Sequence, residues 1–317
     1  MKIKKISRVS FSGTIYNFHC LPEMTYISEG VLVHNCYKAN TPDGGNMSFE
    51  TFKTVFDKFP QSITQIAFSA DSTLKSNPDL FKMMKYCRNN TENYIVPSIS
   101  VAQLERPEAE KLIEAGVGCV GVSMYANKEV CYDTAKLLTD VCDETGYSAQ
   151  VNLQVVVSDH NFEHIMSVLD DINEDPRLER INCIVYLSLK QKGRGEGFKL
   201  LSDEKWMQLL AKTAEKVELF GVDVCSTGKL QAFEGDSEET LEVAEPCESG
   251  YYSMYINLRG EMFPCSFLED TPGWETGMDL VEKSFNDIWS SDRFLKHRKS
   301  IEAIRSGKST GCPYWDI

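Results

Sequence analysis

The sequence predicts an α/β fold of parallel βαβ units, entered through a short β segment and followed by a loop-rich module with spaced cysteines. Three observations carry that prediction. Between residues 36 and 220, five apolar runs of strand character each precede a segment of helical periodicity. In the first 35 residues Lys2, Lys4, Lys5 and Arg8 outnumber Glu23 and Glu29, whereas the whole chain carries a net charge of −14, so composition breaks near position 35. Beyond residue 220 the alternation stops, and Cys225, Cys247, Cys265 and Cys312 stand among glycines and aromatics. The expected organisation is therefore 1–35, 36–220 and 221–317.

The elements follow in order. Ile15, Phe18 and Val31-Leu32-Val33 favour strands, with Glu29-Gly30 as a turn. Ser48 is suited to cap a helix that displays Phe49, Phe52, Phe56 and Phe59 on one stripe. A strand at 63–68 follows, then Asn77-Pro78 opening a helix through Tyr86. The strand at 94–101 leads to a helix at 107–115 stopped by Gly116. A strand at 119–125 precedes a helix at 129–145 stopped by Gly146. The last two pairs are a strand at 150–157 with a helix at 162–172, and a strand at 181–189 with a helix at 203–220 ended by Gly221. In such folds chemistry sits at the carboxyl ends of the strands.

Composition narrows the function. With 317 residues the chain is long enough for about two domains and a core that needs no disulfides. The acidic balance argues against general nucleic-acid binding, which needs cations to neutralise phosphates. No apolar run is long enough for a membrane span and no signal peptide opens the chain, so a cytoplasmic protein is expected. The eleven cysteines are then expected to be reduced thiols, metal ligands or catalytic groups. Cys87, Cys119, Cys131, Cys142 and Cys183 fall inside predicted elements and read as core, as does Cys20.

The tripeptide His34-Asn35-Cys36 can do chemistry. An Asn side chain can cyclise onto its own carbonyl, a neighbouring His can protonate the leaving amine, and a thiol is a nucleophile once ionised. Alone the tripeptide also suits a plain loop after a strand. Its surroundings, Ile15 to His19, Thr25-Tyr26-Ile27 and Glu29 to Cys36, resemble the C-terminal splicing region of inteins, and 1–35 resembles the C-terminal fragment of a split intein. The resemblance makes Asn35 the cyclising residue, His34 its assistant and Cys36 the first residue of the flanking sequence. Asn17 and Met24 depart from the family's usual Asp and His. His19, on the same strand face as Asn17, is expected to replace the missing histidine. The basic bias of 1–35 suits docking to an acidic N-terminal fragment.

Cys36-Tyr37, followed by an amphipathic helix, resembles the end of the three-cysteine motif of radical S-adenosylmethionine (SAM) enzymes. The resemblance implies a partial (β/α)6 barrel lacking its first strand, which would arrive with the partner, the five strands here being the second to sixth. It also implies an N-terminal partner fragment carrying the other two cysteines, and a [4Fe–4S] cluster whose open iron binds SAM. Reductive cleavage of SAM would then yield a radical that abstracts hydrogen from substrate. A reductant such as a flavodoxin or ferredoxin follows, and a peptide is the leading substrate class. Ser69-Ala70-Asp71-Ser72 stands where the family has Gly-Gly-Glu-Pro, leaving Asp71 to meet the SAM amine. Ser123 and Asn152, with Gln154, fall at cofactor-facing strand positions. Arg194, in Lys190-Gln191-Lys192-Gly193-Arg194, is a candidate to hold a carboxylate or phosphate. Asp71 equally suits a loop cap, the strand polars a satisfied core, and the cations a solvated turn.

Cys247 and Cys265 bracket a segment that includes Gly260 and ends in Pro264-Cys265; it resembles the SPASM and Twitch auxiliary-cluster modules. By that resemblance Cys225, Cys247, Cys265 and Cys312 form one auxiliary cluster. Four thiolates suit a [4Fe–4S] cluster or a structural zinc ion equally by spacing. A zinc-stabilised or degenerate α/β protein without radical chemistry is the alternative, as is a plain β-hairpin at 1–35.

Overall fold

The structure of the protein is a computed structural model that describes residues 45–69, 74–89, 95–124, 127–235, 246–306, 308–309 and 311–315. His19, His34, Asn35, Cys36 and Asp71 lie outside the described residues, as does the side chain of Arg194.

The alternation read from the sequence is the architecture. Strands β1 (Gln65–Phe68), β2 (Val96–Val101), β3 (Cys119–Ser123), β4 (Gln150–Val157), β5 (Cys183–Ser188) and β6 (Phe220–Val222) form one sheet in sequential order. Every pairing is parallel. The crossovers are made by helices α2 (Leu80–Asn89), α3 (Arg106–Glu114), α4 (Lys128–Thr145), α5 (Phe162–Asp171) and α6 (Asp203–Lys216); α1 (Phe49–Phe56) precedes β1 and α7 (Thr227–Glu234) follows β6.

Local chemistry sets the helix ends. Ser48 Oγ accepts from Thr51 N at 3.1 Å and caps α1. Asn77 Oδ1 accepts from Asp79 N at 3.0 Å, so Asn77-Pro78 forms a turn and α2 begins at Leu80. Gly146 ends α4 with φ of 65°, a left-handed conformation that costs glycine least.

Period-2 alternation divides the sheet into two faces. Ile99, Val120, Val122, Leu153, Val155 and Ile184 point to one face, where they join Leu112, Leu138, Ile165 and Leu209 of the helices in a single buried cluster. Full burial of each such side chain contributes about 1.5–3 kcal/mol. Helices from α1 to α6 all feed this one cluster, so the sheet is wound in one direction with its helices on one side. On the opposite face β2, β3 and β4 carry Ser98 and Ser100, Gly121 and Ser123, and Asn152 and Gln154, beside a small apolar cluster of Cys119, Cys183, Val185 and Leu187.

The expectation of five strands is corrected to six. Residues 217–220 were expected to continue the last helix, but α6 stops at Lys216 and β6 pairs Phe220–Val222 with Ile184, Val185 and Tyr186. Gly221 lies over the Val185 side chain. The parallel sheet thus runs past residue 220.

The C-terminal part is smaller and antiparallel. Strands β7 (Tyr255–Ile256), β8 (Glu261–Phe263) and β9 (Met278–Asp279) form a three-stranded sheet, followed by α8 (Phe285–Trp289) and α9 (Asp292–Ser300). Gly260 turns the β7–β8 hairpin with φ of 79°, and a Cβ there would sit 2.6 Å from Val281 Cγ2. Met262, Phe263, Trp274, Leu280 and Phe294 form a second core that also takes Val55 of α1. Lys58 Nζ reinforces the junction by donating to the carbonyls of Leu280 at 2.8 Å, Lys283 at 3.1 Å and Val281. Among the described residues no helix is long and apolar enough to cross a membrane.

Candidate functional site

Four cysteines from four separate stretches of chain line one cavity: Cys225, Cys247, Cys265 and Cys312. Each is half-buried. Cys225 follows β6, Cys265 follows β8 at the head of the helical turn Ser266–Leu268, and Cys247 and Cys312 lie in irregular segments. Arg305 Nη1 donates to the Cys247 carbonyl at 2.7 Å, holding that backbone from the far end of the module. Among the described residues, no three His, Cys, Asp or Glu side chains converge as the ligands of a single ion would. Four thiols lining one hollow are a donor set that suits an iron–sulfur cluster or a zinc ion.

Cys225 is positioned by a buried polar network. Asp223 N donates to the Tyr186 carbonyl at 2.8 Å, which prolongs the β5–β6 pairing. Its carboxylate accepts from Lys190 Nζ at 2.6 Å, Ser188 N at 3.2 Å and Ser226 N at 3.0 Å. Ser188 and Ser226 also bond through their hydroxyls. The Lys190 and Asp223 side chains are only 3% and 7% exposed, so each charge depends on the other. Lys190 further lies over the Phe267 ring, 4.9 Å from its centroid, and lines the cavity.

A second network holds the other cysteine segments. His297 of α9 is buried and bonds Ser249 Oγ through Nε2 at 2.8 Å and Tyr314 Oη through Nδ1 at 3.1 Å. Ser249 Oγ donates to the Pro264 carbonyl at 2.8 Å. Burial pushes His297 down to about 4, so the ring is neutral at neutral pH. Burial raises the Tyr314 phenol, and Cys312, Cys265 and Cys247 add to the rise, so three of the cavity thiols lie within electrostatic reach of one ring.

The polar face of the sheet holds the other predicted residues. Ser123 and Asn152 are buried on adjacent strands, β3 and β4. Asn152 Nδ2 lies 3.4 Å from Cys119 Sγ, and Gln154 Oε1 accepts from Ser100 Oγ at 2.6 Å. Ser123 Oγ, Asn152 Oδ1 and Gln154 Nε2 have no hydrogen-bond partner. A buried polar atom without a partner costs about 1–3 kcal/mol. Three on one face are what a polar ligand would satisfy.

The structure therefore brings together all four C-terminal cysteines singled out in the sequence, and places Ser123 and Asn152 on one face. Two cations of the run after β5 have partners, and the third, Arg194, has its side chain outside the described residues. Lys190 is held by Asp223, and Lys192 Nζ donates to the carbonyls of Phe267, at 3.2 Å, and Glu269. Lys190 thus joins the end of β5 to the segment after β6, and Lys192 joins it to the C-terminal module. Sequence reasoning missed Asp223, Ser249 and His297. The available signal for His297 was that no other histidine follows residue 164.

Part of the chain is similar to known proteins. No curated protein sequence matches the chain. Among solved structures, the crystal structure of BtrN in complex with AdoMet and 2-DOIA is similar at a TM-score of 0.44 and 13% identity, covering 93% of this chain and 95% of that one. The crystal structure of HydG, a maturase of the [FeFe]-hydrogenase, is similar at 0.44 and 12% identity, covering 61% of this chain and 49% of that one. Residues 247–313 match the SPASM family, an iron–sulfur cluster-binding domain, and three of the four cavity cysteines lie within that match.

Proposed function

We propose that the chain supplies the C-terminal part of a radical SAM enzyme that carries one auxiliary [4Fe–4S] cluster. The observation that carries this reading is the convergence of Cys225 on the same cavity as Cys247, Cys265 and Cys312, the last three lying in a segment that matches an iron–sulfur domain. Four thiolates would fill that cluster and leave no open iron, so its role is structural or electron-transferring. The partial-barrel reading rests on six sequential parallel strands with helices on one side.

The SAM-binding cluster would be held by Cys36 and two cysteines of an N-terminal partner, and would supply one-electron reduction of SAM. On this reading Ser123 Oγ, Asn152 Oδ1 and Gln154 Nε2 are the buried atoms that SAM or substrate would satisfy. Asp71 would meet the SAM amine and Arg194 an anionic group. A flavodoxin- or ferredoxin-type reductant and a peptide substrate complete the proposal.

Residues 1–35 we read as a C-terminal intein fragment, on the strength of His34-Asn35-Cys36 and the residues before it. Asn35 would cyclise with help from His34 and His19, and Cys36 would be joined to the partner.

The deciding experiment has two arms. Anaerobic purification of the chain should give iron and sulfide in equal amounts; zinc without sulfide would support the zinc-stabilised alternative and end the radical proposal. Intact-mass and peptide mass spectrometry after co-expression with the upstream partner should show residues 1–35 removed and Cys36 ligated to a segment with two further cysteines. Persistence of the 35.8 kDa chain would overturn the splicing proposal. The ligated product should cleave SAM when reduced; a product that does not would be the degenerate alternative.

A further inference from the structure

His297 lies on α9, which contributes none of the four cysteines, yet it touches the stretches that carry three of them. The proton positions follow from donor counting. Ser249 has one hydroxyl proton, and it goes to the Pro264 carbonyl, which can only accept, at 2.8 Å. Ser249 Oγ must therefore accept from His297 Nε2, also at 2.8 Å. The ring carries a proton on Nε2, and Nδ1 lies 3.1 Å from the Tyr314 hydroxyl, whose own proton goes to Ser300 Oγ at 2.7 Å because Ser300 donates to the His297 carbonyl at 2.6 Å. The result is a row of contacts from Tyr314 through His297 and Ser249 to the Pro264 carbonyl, directed from His297 onward.

Each link lies beside a cysteine. Ser249 is two residues after Cys247, Pro264 immediately precedes Cys265, and Tyr314 is two residues after Cys312. Gly250 marks the closeness of the approach: at φ of 69°, a Cβ there would lie 3.1 Å from His297 Cδ2 and 3.2 Å from Pro264 Cβ. The ring is fixed by stacking on Tyr314, centroids 5.6 Å apart, and by an edge contact with Trp274 at 6.3 Å. Arg298, the next residue, donates to the Gly250 carbonyl.

We propose that His297 is the positioning residue of the cysteine cavity, holding Cys247, Cys265 and Cys312 in mutual register through Ser249, Pro264 and Tyr314. This rests on the reading that the four cysteines hold one iron–sulfur group. The physical reason is that Cys247 and Cys312 lie in irregular segments and Cys265 lies beyond the end of β8. No shared strand ladder sets their spacing, so side-chain bonds must do it. Outer-shell partners of this kind typically change metal affinity by roughly 10–100-fold when removed.

The test uses the full chain, reconstituted anaerobically with iron and sulfide, as wild type, His297→Leu, His297→Gln and Phe294→Leu. Phe294→Leu is a packing control on the same helix, whose side chain is fully buried and lies outside the hydrogen-bonded chain. Wild type should bind about four irons per chain. His297→Leu should lose iron to a chelator roughly 10–100-fold faster and shift both the electron paramagnetic resonance signal and the midpoint potential of the reduced cluster. His297→Gln, which keeps a donor towards Ser249, should recover part of each effect. Phe294→Leu should lower the melting temperature while leaving signal and chelator resistance as in wild type. A His297→Leu cluster with wild-type signal and iron loss would overturn the role of His297 while leaving the cluster reading intact. Equal iron loss from Phe294→Leu would overturn it too, by showing that packing alone suffices. Wild type that takes up no iron would overturn the cluster reading itself, and this role with it.

Discussion

The parallel sheet and the C-terminal module both hold cysteines and use them in opposite ways. In the sheet region Cys87, Cys119, Cys131, Cys142 and Cys183 are all buried. Burial pushes Cys87, Cys131 and Cys183 up to about 12 and raises Cys119 and Cys142 as well, so these thiols stay protonated and serve as small core residues. Cys225, Cys247, Cys265 and Cys312 are half-buried around a cavity. The difference follows from core size. The six-stranded sheet shares one large apolar cluster with its helices, whereas the C-terminal sheet has strands of two or three residues and a much smaller core. A core this small is the kind that a metal or cluster cross-link commonly reinforces, which is the role proposed for the four cavity thiols.

The largest test of this contrast is chemical reactivity. At pH 8 a thiol near 12 has a thiolate fraction on the order of 10³-fold below that of an ordinary thiol. Timed alkylation with peptide mapping of the metal-free protein should therefore label the four cavity cysteines first and Cys87, Cys131 and Cys183 last. Early labelling of Cys131 would break the division. Next in size, Cys265→Ser should weaken iron binding by more than about 100-fold, while Cys142→Ser should leave it unchanged; iron analysis after desalting distinguishes them. Asp223→Asn leaves the buried Lys190 charge without its carboxylate and should cost about 3–5 kcal/mol in urea unfolding, with displacement of Cys225 reported by a changed cluster spectrum. If the spectrum did not change, the network would serve the sheet alone. The smallest effect is at Asn152. Asn152→Leu removes an unpartnered buried oxygen and should change stability by no more than about 1 kcal/mol, and under the proposed function it should abolish SAM binding by the spliced product. Retained SAM affinity would make Asn152 a polar core residue only.

Legibility differed between the two regions for the same physical reason. In the sheet, the strand at 150–157 was read to the residue, because Val151, Leu153, Val155 and Val157 alternate with Asn152 and Gln154 and that period is local. The stop at Gly146 was equally visible, since only a left-handed residue ends the helix there. Phe220–Val222 was not. Three residues around a glycine look like the frayed end of α6, and only pairing with β5 makes them a strand. Lys190 shows the same limit. A lysine in a basic turn looks available to a ligand until Asp223, 33 residues later, is placed against it.

The cysteines divide along this line. Burial within an element follows from local periodicity, which set the core thiols apart, whereas Cys225, Cys247, Cys265 and Cys312 stood out as ligand candidates through their resemblance to auxiliary-cluster modules. That four of them face one cavity, that Cys225 reaches it from the sheet, and that His297 joins Ser249, Pro264 and Tyr314 were decided only by tertiary structure. His297 sits in Lys296-His297-Arg298-Lys299, a run that reads as a solvated helix face. Which side of α9 is buried depends on Trp274 and Tyr314 closing over it from outside the helix, and helical periodicity carries no information about which neighbours will be there.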